Sequence, residues 1–190
     1  MCGRFFLDMD ILKTLDQEVE SSGANGETRS QSGPGSSVVA WISGSDGPRK
    51  VKMRWGFKGE RGGLIINARI ETVRQKPMFS ALASRQRCAV PASGYYEWRR
   101  SDHQKYSIVL DGYNPVYLAG LYRRGEAGME LVILTRSPTA SIRPVHNRMP
   151  VILRNKEEMM AWLDGMETGS VTSDEIKISA DGDEQHRMPF

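Results

Sequence analysis

The sequence predicts an α+β fold whose core is a largely antiparallel, curled β-sheet or barrel with peripheral helices. Three observations carry this. From Val38 onward, short apolar runs of strand length alternate with turn residues. Helical spacing is confined to short segments. Long βαβ alternation, the mark of a doubly wound parallel sheet, is absent.

The elements follow in chain order. Asp8 is placed to cap a helix carrying Ile11, Leu12 and Leu15 at helical spacing. Residues 20–37 hold ten Gly or Ser in eighteen positions, which predicts a mobile loop inserted within a domain. The runs VVAWI, VKMRWGF, LIINA, CAVPA, YYEW, YSIVL, VYLAGLY, LVILT and PVIL then read as strands. Two helices interrupt them: Pro77 to Ser84, with Pro in the first turn, and Lys156 to Leu163, with the pattern EEMMAWL. One domain over residues 1–165 is expected, followed by an acidic C-terminal extension over 166–190.

Length and composition bound the function. A chain of 190 residues is long enough to bury a real core as one domain. No apolar run approaches the roughly 18 residues of a membrane span, and MCGRFFLDMD lacks the order of a secretory signal, so a cytoplasmic protein without membrane partners is expected. Two cysteines, Cys2 and Cys88, exclude a disulfide scaffold. With His103, His146 and His186 they show no zinc-ligand spacing, so no metal is expected. The leading reading below calls for no organic cofactor either. Net charge is +3, but residues 1–156 carry 24 basic against 14 acidic groups and residues 157–190 carry 2 against 9. Arg outnumbers Lys 18 to 8, which suits bidentate phosphate contacts, although scattered arginines equally describe a solvated face.

The chemistry starts at Met1-Cys2-Gly3-Arg4. Initiator Met is normally trimmed before a small residue, and trimming leaves an amine and a thiol on adjacent carbons. Reference pKa values of about 7.7–8.0 and about 8.5 leave both partly nucleophilic at neutral pH. An aldehyde would form a Schiff base with the amine and then be captured by sulfur as a five-membered thiazolidine. Four other segments look like site segments: Trp55-Gly56-Phe57, Asn67-Ala68-Arg69 with Glu71-Thr72, Pro91 to Trp98, and His146-Asn147-Arg148-Met149-Pro150. Read singly, each has an ordinary alternative. Glu97 fits a solvent-facing edge position, Asn67 a turn, His146 a structural histidine and Trp55 the core.

Taken together, MCGRF, WGF, INARIETV, RCAVPASGYYEW, LTR and HNRMPVIL, in this order from residue 1 to about 163, resemble the SOS response-associated peptidase (SRAP) family. The resemblance implies a sensor of abasic sites in single-stranded DNA that forms a covalent thiazolidine crosslink, with a possible autopeptidase or lyase activity. It implies Cys2 as the nucleophile, Asn67 as the group holding the N-terminal residue, Glu97 as the carboxylate beside the amine, and His146 as the acid/base that helps open the sugar ring. For DNA, Arg4, Arg69 and Arg148 flank these residues and would meet phosphates. Trp55 and Trp98 would offer faces to bases, and Thr135 a hydrogen bond near the lesion. Cys88 is expected to be buried. The stretches Gln31 to Pro34 and Lys58 to Gly63 depart from the family pattern, which weakens the case for DNA contacts there. A monomer is expected. A cysteine-dependent autopeptidase and a noncatalytic single-strand-binding module remain the alternative readings.

Overall fold

The computed structural model describes residues 2–14, 29–59 and 62–180. Fifteen strands among these residues form two principal sheets and a small third one. Strands β3 (Ser37–Ile42), β4 (Arg49–Trp55), β8 (Arg87–Ala92), β11 (Val116–Gly125) and β12 (Gly128–Arg136) close into a ring. Closure comes from β12, which pairs antiparallel with β11 and parallel with β4. The short strands β7 (Asn67–Arg69), β13 (Met149–Pro150) and β14 (Ile152–Leu153) attach to this ring. The second sheet has the order β15 (Ile176–Ala180), β10 (Lys105–Leu110), β9 (Gly94–Trp98), β1 (Arg4–Asp8), β2 (Arg29–Ser32), and β5 (Phe57–Lys58) pairs with β6 (Leu64–Ile65). The α+β class with a curled, mainly antiparallel barrel core is the one the residues predict.

Strand alternation explains how one chain builds two apolar layers. Val38, Ala40, Ile42, Met53, Trp55, Val90, Leu118, Leu131 and Ile133 fill the ring, together with Phe5, Tyr95 and Ile108 from the inner face of the second sheet. The intervening residues Ala89, Ala119, Leu121, Val132 and Leu134 face outward and are covered by α2 (Pro77–Arg85) and α3 (Lys156–Leu163) through Leu82, Ala83, Met159, Trp162 and Leu163. Pro77 opens α2, and the Asn155 side chain caps α3 by accepting the Glu158 N–H at 3.0 Å, so both helices start where their sequences predict. Among the described residues no helix is long and apolar enough to cross a membrane.

Several expectations need correction. The second half of the Gly/Ser-rich stretch is not a loop: Arg29–Ser32 is an edge strand on β1, followed by a turn at Gly33 to Gly35, and composition missed it because RSQS buries no full apolar face. The first half, like Leu15, lies outside the described residues. Asp8 precedes α1 (Met9–Thr14), but its carboxylate pairs with Arg29 at 3.0 Å and accepts from the Asn114 amide at 3.2 Å. The run VKMRWGF breaks at Gly56, whose φ of 118° and close approach to Leu64 Cβ suit glycine alone. LIINA and PVIL each split into two short strands. Beyond Gly165 the chain does not simply trail away, since Ile176–Ala180 pairs with β10 across five residues and Ile176 is buried.

Candidate active site

The site forms where the start of the chain runs into the two sheets. Cys2 precedes β1 and is completely buried, in the same cluster as Phe5, Trp55 and Tyr95. Its carbonyl accepts a hydrogen bond from Asn67 Nδ2 at 2.9 Å. Asn67 can reach it because it opens β7, which lies parallel to β12 with Asn67 opposite Ile133. The chain start is thereby tied to the ring by an amide 65 residues away.

Glu97 comes from β9. Tyr95 and Glu97 are two residues apart on one face, and Tyr95 belongs to the core, so Glu97 points inward rather than to solvent. It is 5% exposed. Gly94 lets this strand pack close against β10 and Phe6, because a Cβ there would lie 2.6 Å from the Ile108 carbonyl oxygen and 2.6 Å from the Phe6 ring. His146 enters from the segment between β12 and β13 and is also buried. Its Nε2 stands 3.8 Å from Glu97 Oε1, and its Nδ1 accepts the Arg148 backbone N–H at 3.0 Å. Nδ1 also stands 3.3 Å from the Arg148 carbonyl oxygen, a contact that needs the opposite tautomer; the N–H contact is the shorter, and with it the neutral ring carries its proton on Nε2, the atom that faces Glu97.

Burial and charge set the protonation states. The Cys2 thiol is pushed up to about 12, first by burial and then by the negative charge of Glu97. In the chain with Met1 attached the thiol is therefore protonated at neutral pH, not partly ionised as the reference value suggests. Burial also holds His146 below its ordinary value, against the opposing pull of Glu97. Tyr95 rises well above the usual phenol range, by burial and then by Cys2 and Glu97. Its buried hydroxyl and Asn67 Oδ1 have no hydrogen-bond partner. Met1, on whose removal the aminothiol depends, lies outside the described residues. Among the described residues no three His, Cys, Asp or Glu side chains converge as a metal site.

The other expected contacts divide. Arg4 lies exposed at the start of β1 opposite Tyr96, Arg69 is exposed at the end of β7, and Trp98 is 38% exposed opposite Lys105. These three remain open to a ligand. Trp55 does not: it is fully buried against Phe5, with its indole N–H donated to the Ile66 carbonyl at 3.0 Å, so no face is free for a base. Thr135 is buried, and its hydroxyl donates to the Ala68 carbonyl at 3.4 Å. Arg148 is not a free cationic fork, because both its arms are bound to Glu71 at 2.8 and 2.7 Å. Flanking a catalytic residue in sequence does not reveal which way a side chain turns. Sequence reasoning gave Glu71 and Tyr95 no role. Glu71 sat in a quoted motif, while the Tyr95 hydroxyl left no signal in a strand of aromatic residues. Cys88 is buried inside the ring.

The chain matches the family model described as SOS response associated peptidase (SRAP) over residues 1–187. It is similar to the abasic site processing protein YoaM of Bacillus subtilis, 31% identical over 201 residues, covering 97% of this chain and 88% of that protein. It is also similar to the abasic site processing protein YedK of Escherichia coli, 25% identical over 86% of this chain and 79% of that protein. A crystal structure of a protein from Bordetella bronchiseptica shares the fold, with a TM-score of 0.71 at 20% identity, covering 95% and 99% of the two chains.

Proposed function

The chain belongs to the SOS response-associated peptidase family, and on that premise we propose that it recognises abasic sites in single-stranded DNA and joins itself to them through Cys2 once Met1 is removed. The relatives named for abasic site processing point to the lesion. The observation that carries the residue-level reading is the convergence on Cys2, with its carbonyl held by Asn67 and its thiol in the field of Glu97, which in turn faces His146 Nε2.

Hydrolysis of the Met1–Cys2 amide adds one water, releases methionine and leaves an ammonium on Cys2. Glu97 takes a proton from that ammonium, and the free amine attacks the aldehyde carbon of the ring-opened sugar. Loss of water gives a Schiff base. The Cys2 sulfur then attacks the same carbon, its proton passing to the nitrogen, and the thiazolidine closes. The net change is aldehyde plus aminothiol to thiazolidine plus water, with no oxidation or reduction. As the ring opens, the C1–O bond breaks, the ring oxygen takes the Nε2 proton of His146 in its imidazolium form, and the anomeric hydroxyl gives up its proton to the neutral imidazole left behind, so the ring returns to its starting state. The new ammonium also lowers the thiol pKa by placing a positive charge beside it.

Arg4 and Arg69 supply positive charge at the rim for the phosphate backbone, and Trp98 a face for a neighbouring base. Intact mass after mixing with an abasic oligonucleotide tests the reading. The expected species is trimmed protein plus oligonucleotide minus one water. A chain that loses Met1 but never gains the oligonucleotide would favour an autopeptidase instead.

A further inference from the structure

His146 sits near the end of the segment that links β12 to β13, and both ends of that segment meet one carboxylate. Glu71 accepts the Ser137 N–H at 3.1 Å where the segment begins. Where it ends, Arg148 places Nη1 2.8 Å from Glu71 Oε1 and Nη2 2.7 Å from Oε2, while Nη2 also donates to the Thr135 carbonyl at 2.7 Å. A two-armed guanidinium–carboxylate pair fixes direction as well as distance, and the Arg148 side chain is only 12% exposed. The guanidinium holds the Glu71 carboxyl down at about 2, so the pair stays charged at any working pH. The backbone N–H of the same Arg148 enters His146 Nδ1 at 3.0 Å.

We propose that Glu71 is a positioning residue for His146: it closes the mouth of the 137–148 segment, fixes Arg148, and so keeps the Arg148 N–H on Nδ1 and the Nε2 proton aimed at Glu97. Protonating Nδ1 would exchange this hydrogen bond for the longer one to the Arg148 carbonyl at 3.3 Å. Other charged groups act on the ring as well: Glu97 from β9 favours the imidazolium, whereas Arg100 beyond β9 and the positive chain terminus oppose it. Those groups set the field around His146, but none of them fixes its tautomer. The Arg148 backbone is what meets Nδ1, its N–H at 3.0 Å and its carbonyl at 3.3 Å, and Glu71 holds Arg148 at both arms. The catalytic importance of His146 rests on the proposed function; its tautomer does not.

Long-range ¹H–¹⁵N spectra of chain labelled at histidine read this directly, with the His146 signals identified by their loss in His146→Gln. The full-length protein is expected to show one His146 tautomer, with the proton on Nε2 and a midpoint below the ordinary value. Glu71→Ala should show both tautomers in exchange. Arg148→Met, which removes the guanidinium and keeps the backbone N–H, should reproduce that change. Glu71→Gln retains an acceptor oxygen and should recover much of the single tautomer. In linkage assays Glu71→Ala should slow the reaction in the wild-type background and add little to His146→Gln. A wild-type tautomer in folded Glu71→Ala or folded Arg148→Met overturns the proposal. A wild-type chain that never links to abasic DNA defeats the proposed function, and the spectra still decide the role of Glu71.

Discussion

Asn67 donates its side-chain amide to the carbonyl of Cys2 at 2.9 Å, which ties the residue preceding β1 to the parallel junction of β7 and β12. Burial of Cys2 in the core and this one directional bond together fix its position, and with it the reach of the nucleophile in the proposed function.

Replacing Asn67 by Ala should therefore slow linkage by roughly one to two orders of magnitude, because a misplaced nucleophile loses much of the benefit of proximity. Asn67→Asp keeps the shape, but offers no amide donor and adds a negative charge near Glu97. It should be no better than Ala. Single-turnover rates check both, and a wild-type rate in Asn67→Ala would mean that Cys2 needs no such tether.

The reactivity of the thiol provides a second expectation. Because burial and Glu97 push Cys2 up to about 12, a chain with Met1 blocked by an N-terminal extension should alkylate at Cys2 only slowly at neutral pH. The thiolate fraction falls roughly tenfold for each unit by which the pKa exceeds the ordinary thiol value. The rate should climb with pH into the strongly alkaline range, and trimmed chain should react faster at pH 7.5. Peptide mapping by mass spectrometry resolves Cys2 from Cys88. Equal rates in blocked and trimmed chains would contradict this electrostatic account.

Tyr95 yields a stability expectation. A buried hydroxyl without a partner carries a desolvation cost of about 1–3 kcal/mol. Tyr95→Phe should thus leave the thermal midpoint unchanged or raise it. A clear fall would mean that the hydroxyl is satisfied in the folded protein.

The acidic C-terminal segment is held by Arg154, whose guanidinium contacts Glu175 at 2.6 Å, Glu158 at 2.7 Å and the Ser170 carbonyl at 2.6 Å. The Glu175 carboxyl is lowered from 4.5 to about 2, first by its hydrogen bond from Arg154. Its folded value lies below its unfolded value, so its stabilisation is present above about 4.5 and is lost as pH falls toward 2. Arg154→Ala should lower stability at pH 7 by on the order of 1–3 kcal/mol, and by less at pH 3. A denaturation series across this range checks the sign, and an effect that grows in acid would contradict it.

The sequence made much of this molecule legible, and the limits have physical causes. Helix α3 follows from local spacing, as do most strands from alternation. The set of Cys2, Asn67, Glu97 and His146 was readable as motifs, and the fold draws the four together. Edge strands β2 and β15 were not: RSQS takes its place through pairing with β1 without an apolar pattern, and IKISA, which does alternate and buries Ile176, is short and sits in an acidic segment. Orientation was equally hidden. Arg4 and Arg148 look alike as flanking arginines, yet one is exposed and the other is spent on Glu71, and Trp55 and Trp98 differ in the same way.

The central claim is that the amine and the sulfur of Cys2 together capture the lesion, and a denaturing gel without reductant tests it most directly. Trimmed wild-type chain should give a stable covalent species with abasic single-stranded DNA and none with the intact strand. Cys2→Ala and the Met1-blocked chain should give none. A stable adduct in Cys2→Ala, or no adduct in trimmed wild-type chain, would contradict the account.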